Sequence, residues 1–178
     1  MIEADPLIIE AAALADVKAY LRIEGTREDP LIGGIVGSAV ELCEQFTGEV
    51  LLQRSFRERL PASGSWTRIR RRPVRTIAGV EGLDGGNTII LPAAAYWTDI
   101  DADGAGWVRV TAPGTAKQVR VSCVCGIAAE WQGIPEPLRH GIIRLAGHLY
   151  THRSGADDPG PPAAVTALWR PYRRLRLA

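Results

Sequence analysis

The 178-residue sequence predicts an α+β protein: a small α-helical bundle with an inserted antiparallel β unit and an extended basic C-terminal segment. Changes in apolar spacing carry this prediction. The spacing is helical from about residue 14 to 48, alternates with period two over about 51–128, and is helical again over about 135–153. A proline-rich linker and a tail occupy 154–178. The length suits one domain, so we interpret 1–178 as a single domain.

The first helical region is predicted to contain a short helix and a long helix. Residues 14–21 place their apolar side chains on one face, and Gly25 is expected to end this short helix. Thr-Arg-Glu-Asp at 26–29 resembles a capping box for the long helix, and Gly48 suits the position just after its end. Residues 1–12 have a weak pattern and are expected to form an arm.

The long helix carries three glycines, Gly33, Gly34 and Gly37, at positions where glycine is costly. Each costs about 1 kcal/mol relative to alanine inside a helix. Close approach of another helix, from the same chain or from a neighbouring copy, would offset this cost. Residues 1–50 also hold ten acidic and three basic side chains. We therefore expect Gly33, Gly34, Gly37 and Glu41 to lie in a contact between subunits.

The middle of the chain is predicted to be a series of short strands with hairpin turns. Asp-Gly-Gly-Asn at 84–87 is a strong hairpin signal. The predicted strands lie near residues 52–60, 66–70, 74–80, 88–91, 96–100, 107–110 and 118–124. Cys123 and Cys125 alternate with valines, which predicts two buried thiols on one strand face.

Two patterns resemble metal sites, and neither is complete. Asp99, Asp101 and Asp103 alternate before a glycine like the start of a calcium loop, but the closing glutamate is missing. A hairpin turn with solvated acids is the favoured interpretation. His148 and His152 stand four residues apart on a predicted helix without the glutamate of a metalloprotease motif. We expect no metal, no cofactor and no catalytic site.

A run of arginines is compatible with contact with DNA. In a strand, Arg68, Arg70 and Arg72 would share one face, close to Trp66, and could line a groove for phosphates. A solvated or subunit-facing strand is the favoured alternative. Neither a glycine-rich phosphate loop nor a nucleophile elbow accompanies the run, so the sequence favours a structural protein over an enzyme.

The order of elements resembles the head–tail connector family (adaptor or head-completion proteins) of siphophages and gene transfer agents. The first motif that resembles the family runs from Leu14 to Asp29, and the motif of its closing helix runs from Pro135 to Arg153. The motifs between and after these are Phe46-Thr47-Gly48 with Leu51-x-Gln53, Arg72-Pro73-Val74-x-x-Ile77-x-x-Val80, and Leu168-x-x-Pro171-Tyr172-Arg173. The order and spacing of these motifs over nearly the whole chain carry the resemblance.

The resemblance implies a structural subunit that forms a ring with copies of itself, usually twelve, between the portal protein and a stopper or neck protein. DNA would pass through the lumen without sequence recognition. Such a protein is made in the bacterial cytoplasm, resides in the neck of the particle and has no membrane partner. A nucleic-acid-binding module and another neck component, a stopper or tail-completion protein, remain the alternatives.

The C-terminal segment is the predicted portal-binding element. It combines aromatic side chains with four arginines and has no acidic residue after Asp158. Tryptophan, tyrosine and arginine are the commonest hot-spot residues of interfaces. The residues assigned to portal contact are Leu168, Trp169, Arg170, Tyr172, Arg173, Arg174 and Arg176. We expect 163–178 to gain little by folding back on its own subunit.

Overall fold

The computed structural model describes residues 1–152 and 161–174. These residues form four helices and two antiparallel sheets, which confirms the predicted α+β class. The chain divides into two compact units. The β unit comprises Met1–Pro6 and Gln53–Ile127, and the helical unit comprises Leu7–Leu52 and the described residues from Ala128 on. The single-domain interpretation stays a prediction.

The helical unit is built from α1 (Ala11–Leu21), α2 (Asp29–Thr47), α3 (Glu136–Thr151) and α4 (Ala163–Trp169). The two long helices, α2 and α3, pack against each other, and α1 packs against both. Their buried stripes supply the core of the unit: Ile32, Val36 and Val40 from α2, and Leu138, Ile142 and Leu145 from α3. No helix in the described ranges is both long and apolar enough to cross a membrane.

The helix ends follow the sequence signals at some positions and depart from them at others. Gly48 ends α2 with φ of +78°, as predicted. The first helix ends earlier than Gly25, because Arg22 takes a left-handed conformation with φ of +57°. The predicted capping box is also wrong: α2 begins at Asp29 without a side-chain cap. The Asp29 carboxylate instead lies 2.6 Å from Nζ of Lys18.

The β unit holds two sheets. Its strands are β1 (Ile2–Ala4), β2 (Arg54–Pro61), β3 (Thr67–Arg68), β4 (Val74–Asp84), β5 (Asn87–Ile90), β6 (Tyr96–Ile100), β7 (Gly106–Val110) and β8 (Gln118–Cys125). The five-stranded sheet has the order β1-β2-β8-β4-β5, and the three-stranded sheet has the order β3-β7-β6. All strand pairs in both sheets are antiparallel.

Strand β1 was not expected from the sequence. Residues 1–12 do not form a simple arm, because Ile2–Ala4 pairs with β2 and α1 already begins at Ala11. The amide of Asp5 extends the pairing by donating to the carbonyl of Ser55 at 2.9 Å. A three-residue edge strand owes its conformation to the strand it pairs with, so the local pattern did not reveal it.

The interior of the β unit is formed by the inward faces of its strands. Phe56 and Leu60 on β2 and Val119 on β8 are buried. Cys123 and Cys125 are buried on the same face of β8, as predicted, with their sulfur atoms 3.6 Å apart. Both thiols are free rather than joined in a disulfide.

Candidate assembly surfaces

The C-terminal helix packs into its own unit around Trp169. The indole is fully buried, lies 5.8 Å from the Phe46 ring between centroids, and donates from Nε1 to the carbonyl of Leu138 at 3.3 Å. A Cβ atom at Gly141 would stand 2.1 Å from that Nε1, so only glycine fits there. The expectation that this segment does not fold back is therefore wrong for the described residues. Gly141, inside a predicted helix, was the sequence signal for this contact.

The other residues of the segment differ in how far they contact their own unit. Arg174 binds Glu49 at 3.1 Å, and its amide donates to the carbonyl of Thr47. Arg173 is exposed and lies 5.5 Å from the Phe46 ring centroid. Leu168 and Tyr172 are half-buried, Arg170 is exposed, and Arg176 lies outside the described residues. The contact of these side chains with a portal stays a prediction.

Helix α2 presents its glycines on an open face. We call Leu31, Gly33, Gly34, Gly37 and Glu41 the glycine face. Within the described residues, a Cβ atom added at Gly33 or Gly34 would meet nothing within 4 Å. At Gly37 it would meet only Ile9, at an ordinary 3.9 Å. The sequence suggested that another helix, from the same chain or from a neighbouring copy, packs closely on these glycines. The described part of the same chain does not supply such a helix.

The three arginines expected to line a DNA groove do not share a strand face. Strand β3 ends at Arg68, so the alternation needed to align Arg70 and Arg72 with it is absent. The Arg68 guanidinium lies 5.8 Å from the Trp107 ring centroid. The Arg70 amide binds a carboxylate oxygen of Glu58, and Arg72 donates to a loop carbonyl at 2.8 Å. Each arginine serves a different local contact, and the strand argument for a groove is wrong.

Sequence reasoning missed an exposed aromatic face on the three-stranded sheet. In the register of β6, β7 and β3, Trp97 pairs with Arg109, and both Asp99 and Arg68 pair with Trp107. Directly opposed residues point to the same side of a sheet. The opposite side of β7 is the buried one, with Val108 and Val110 each 2% exposed. The exposed side therefore collects rings and charges from three strands.

We call Trp66, Arg68, Trp97, Trp107 and Arg109 the Trp–Arg face. Trp97 is 63% exposed, and Trp66, which directly precedes β3, is 46% exposed. Arg109 donates from Nε to the carbonyl of Gly64 at 2.7 Å, which holds the segment before Trp66 beside β7. The sequence signal was the alternation Trp-x-Arg at 66–68 and again at 107–109.

The aspartate loop serves the hairpin that carries this face. One oxygen of Asp101 accepts the amides of Asp103 and Ala105, at 3.0 and 2.8 Å. The other accepts Nε1 of Trp107 at 3.0 Å. The bonds from Trp107 and the amides hold the pKa of Asp101 below its usual range. The predicted hairpin is confirmed, but Asp101 is an organising residue rather than a merely solvated acid.

The other candidate ligand groups have structural contacts. The rings of His148 and His152 lie 4.2 Å apart between centroids. The hydrogen bond with Cys123, together with burial, raises the pKa of the Cys125 thiol, which favours an inert protonated sulfur. Over residues 1–152 and 161–174, no three His, Cys, Asp or Glu side chains are grouped so that they could hold a metal ion.

A basic cleft lies on the five-stranded sheet. Its volume is about 280 Å³, and Arg59, Lys117 and Arg120 line it beside the Gly85-Gly86 turn. Arg59 stands directly opposite Arg120 across the strand pair. Arg120 is 3.5 Å from a carboxylate oxygen of Glu81, which offsets part of the repulsion. Three basic side chains therefore converge on one cleft of the β unit.

Comparison with solved structures gives full-length matches to particle components. A chain from the neck of an empty gene transfer agent particle, computed with C6 symmetry, superposes with a TM-score of 0.76 at 20% identity. A chain from the virion of the native particle gives 0.74 at 23%, and one from its neck computed with C12 symmetry gives 0.72 at 22%. Each match covers 100% of this chain and 97% of the other.

These matches establish a shared fold over the whole length of the chain. No model of a known protein family matches the sequence, and no curated protein matches it.

Proposed function

We propose that the protein is a structural adaptor subunit in the neck of a phage-like particle of the gene transfer agent type. In this role, copies form a ring between the portal and the stopper or tail, around the DNA channel. The observation that carries the proposal is the match over 100% of this chain and 97% of the other to neck components of such particles. Agreement over whole chains is stronger support than a shared core, because it includes the β unit and the C-terminal helix.

The exposed chemistry of the described residues supports a role in contacts between proteins. Large apolar side chains lie on the surface of both units, including Trp66 and Trp97 in the β unit and Leu31 in the helical unit. Exposed aromatic groups beside arginine are typical of interfaces. Asp101, from the pattern that resembled a calcium loop, instead binds within the hairpin, and Cys123 and Cys125 lie in the interior of the β unit.

The copy number we propose is twelve. Two of the matched necks were computed with C6 and C12 symmetry, and a ring of twelve is compatible with both operators. The subunit would be made in the bacterial cytoplasm and remain in the neck. Its partners would be its own copies, the portal on one side and a stopper or neck protein on the other. DNA would pass through without sequence recognition.

The portal contact is testable with a charge reversal in the C-terminal segment. Arg170 and Arg173 are exposed in the described part of this segment. We expect the double variant Arg170→Glu, Arg173→Glu to bind purified portal rings at least about tenfold more weakly than wild type, because desolvated charge pairs at an interface are costly to reverse. Biolayer interferometry at fixed salt measures the change. Arg27→Glu, an exposed arginine of the same unit, is the matched control and should bind like wild type.

The outcomes separate the parts of the proposal. A wild-type protein that does not bind portal contradicts the adaptor role. Equal binding by wild type and the double variant leaves the adaptor role standing and removes the C-terminal segment as its anchor. Tight, salt-sensitive binding of DNA by the free monomer, in place of portal binding, would favour the nucleic-acid alternative and its basic cleft.

A further inference from the structure

The helical unit uses glycine to let aromatic rings approach a helix closely. Both glycines of α3 do this. Trp169 lies against Gly141, and Tyr20 lies against Gly147, where an added Cβ atom would be 2.6 Å from the Tyr20 ring. Close ring-to-backbone packing of this kind is available only where the helix lacks a side chain. In α3, each glycine therefore marks the place where an aromatic ring packs.

The glycines of α2 lack such a ring in the described chain. Gly33 and Gly34 have nothing within 4 Å of an added Cβ, and the adjoining Leu31 leaves 43% of its surface exposed. Each glycine lowers helix stability, so its presence calls for an offsetting contact. The face is long enough for more than one ring, because Gly33, Gly34 and Gly37 span a full helical turn.

The β unit exposes two aromatic rings on its surface. Trp97 is 63% exposed and Trp66 is 46% exposed, whereas the side chains on the opposite side of β7 are buried. Trp107 between them is half-buried, donates from Nε1 to Asp101, and has the Arg68 guanidinium 5.8 Å from its ring centroid. The exposed Trp97 and Trp66 have a large apolar area to bury on binding.

The two surfaces carry side chains of opposite charge. Arg68 and Arg109 are exposed on the Trp–Arg face, with the exposed Asp99 on the same side of the sheet. Glu41 is exposed on the glycine face. Opposite charge at the rim of an interface favours association and fixes its register.

We propose that the Trp–Arg face of one subunit docks on the glycine face of α2 in a second copy. The contact joins two different surfaces, so it leaves one of each free and can continue around a closed ring. This inference rests on the proposed function and names the surfaces that hold the ring together. Trp97 and Trp66 are the rings that seat on Gly33 and Gly34, with Arg109 placed to meet Glu41.

A mixing experiment with two single variants tests the contact. Trp97→Ala removes a ring and keeps the glycine face, whereas Gly34→Leu fills the glycine face and keeps the ring. Each variant alone should lose the higher oligomers of wild type in sedimentation velocity. Mixed in equal amounts after nuclease treatment, the two should form dimers and nothing larger, because only one intact pair of surfaces is available.

Matched controls separate this contact from general effects. Ile90→Ala removes an 88% exposed side chain from β5, and Ala19→Leu adds a leucine to the exposed side of α1; both should associate like wild type. Gly34→Leu should raise the melting temperature by a few degrees, since leucine favours a helix more than glycine does. A rise in stability with a loss of association excludes misfolding as the cause.

Three results would overturn the inference: a wild type that stays monomeric up to its solubility limit, variants that associate like wild type, or a mixture that forms no dimers. The portal-binding assay is independent of all three. A protein that binds portal but keeps its oligomers in both variants would remain an adaptor with a different ring contact.

Discussion

Glu58 is a charged residue in the interior of the β unit. Its side chain is 1% exposed and lies between buried Phe56 and Leu60 along β2. The amide of Arg70 donates to one carboxylate oxygen at 2.9 Å. The other oxygen is 3.5 Å from Nε of Arg70, without the geometry of a hydrogen bond. Burial raises the pKa of Glu58, against the opposing effect of the Arg70 bond and charge.

This arrangement predicts a pH-dependent effect of Glu58→Gln. A raised pKa means that the folded state holds the proton more tightly than the unfolded state, so folding is favoured at low pH and this stability is lost as pH rises through the folded pKa. At pH 8 the variant, which has no charge to bury, should therefore melt higher than wild type. The difference should shrink as the pH is lowered toward about 4, where glutamate protonates in an unfolded chain.

Thermal melts of both proteins between these pH values measure the effect. Glu3→Gln, on the exposed part of β1, is the control and should show no such trend. A lower melting temperature for Glu58→Gln at every pH would mean that attraction to Arg70 outweighs the cost of burial.

At the scale of elements, α4 shows how far local pattern reaches. The residues at 163–169 suit a short helix, and the structure has α4 at those positions. Its seven residues cannot indicate which surface they cover, because many surfaces suit so short an apolar face. The surface that α4 covers is determined elsewhere in the chain, at Gly141 on α3. Only the structure shows that Trp169 packs against this glycine.

Trp169→Ala should destabilise the protein by about 3 to 5 kcal/mol, because truncating a buried tryptophan leaves a cavity as well as losing apolar burial. Trp97→Ala makes the same chemical change at an exposed site and should alter the free energy of unfolding by no more than about 0.5 kcal/mol. Urea unfolding of the isolated chain compares the two. Similar losses for both variants would contradict the buried position of Trp169.

The Trp–Arg face could not be predicted from the sequence for a related reason. Its residues come from β3, β6 and β7, and their shared side depends on the register between strands. The aspartates at 99–103 indicated the β6–β7 hairpin, yet Trp66 and Arg68 join the face only through a pairing distant in the chain. The glycine face of α2 could be predicted from the sequence, because the regular geometry of a helix determines which of its residues lie close together.

At the scale of the whole molecule, the two units provide different surfaces for one proposed task. The helical unit contributes the glycine face and the C-terminal arginines, and the β unit contributes the Trp–Arg face. A ring subunit needs two different lateral surfaces and at least one axial surface. In our proposal the glycine face and the Trp–Arg face are the lateral surfaces, and the C-terminal arginines form the axial one.

Cryo-electron microscopy of the protein bound to purified portal tests the adaptor role most directly. The adaptor role predicts a ring of twelve copies coaxial with the portal, with α2 of each copy against an adjacent copy and the C-terminal segment toward the portal. Portal rings that carry no added density, or isolated copies bound without lateral contact, would contradict it.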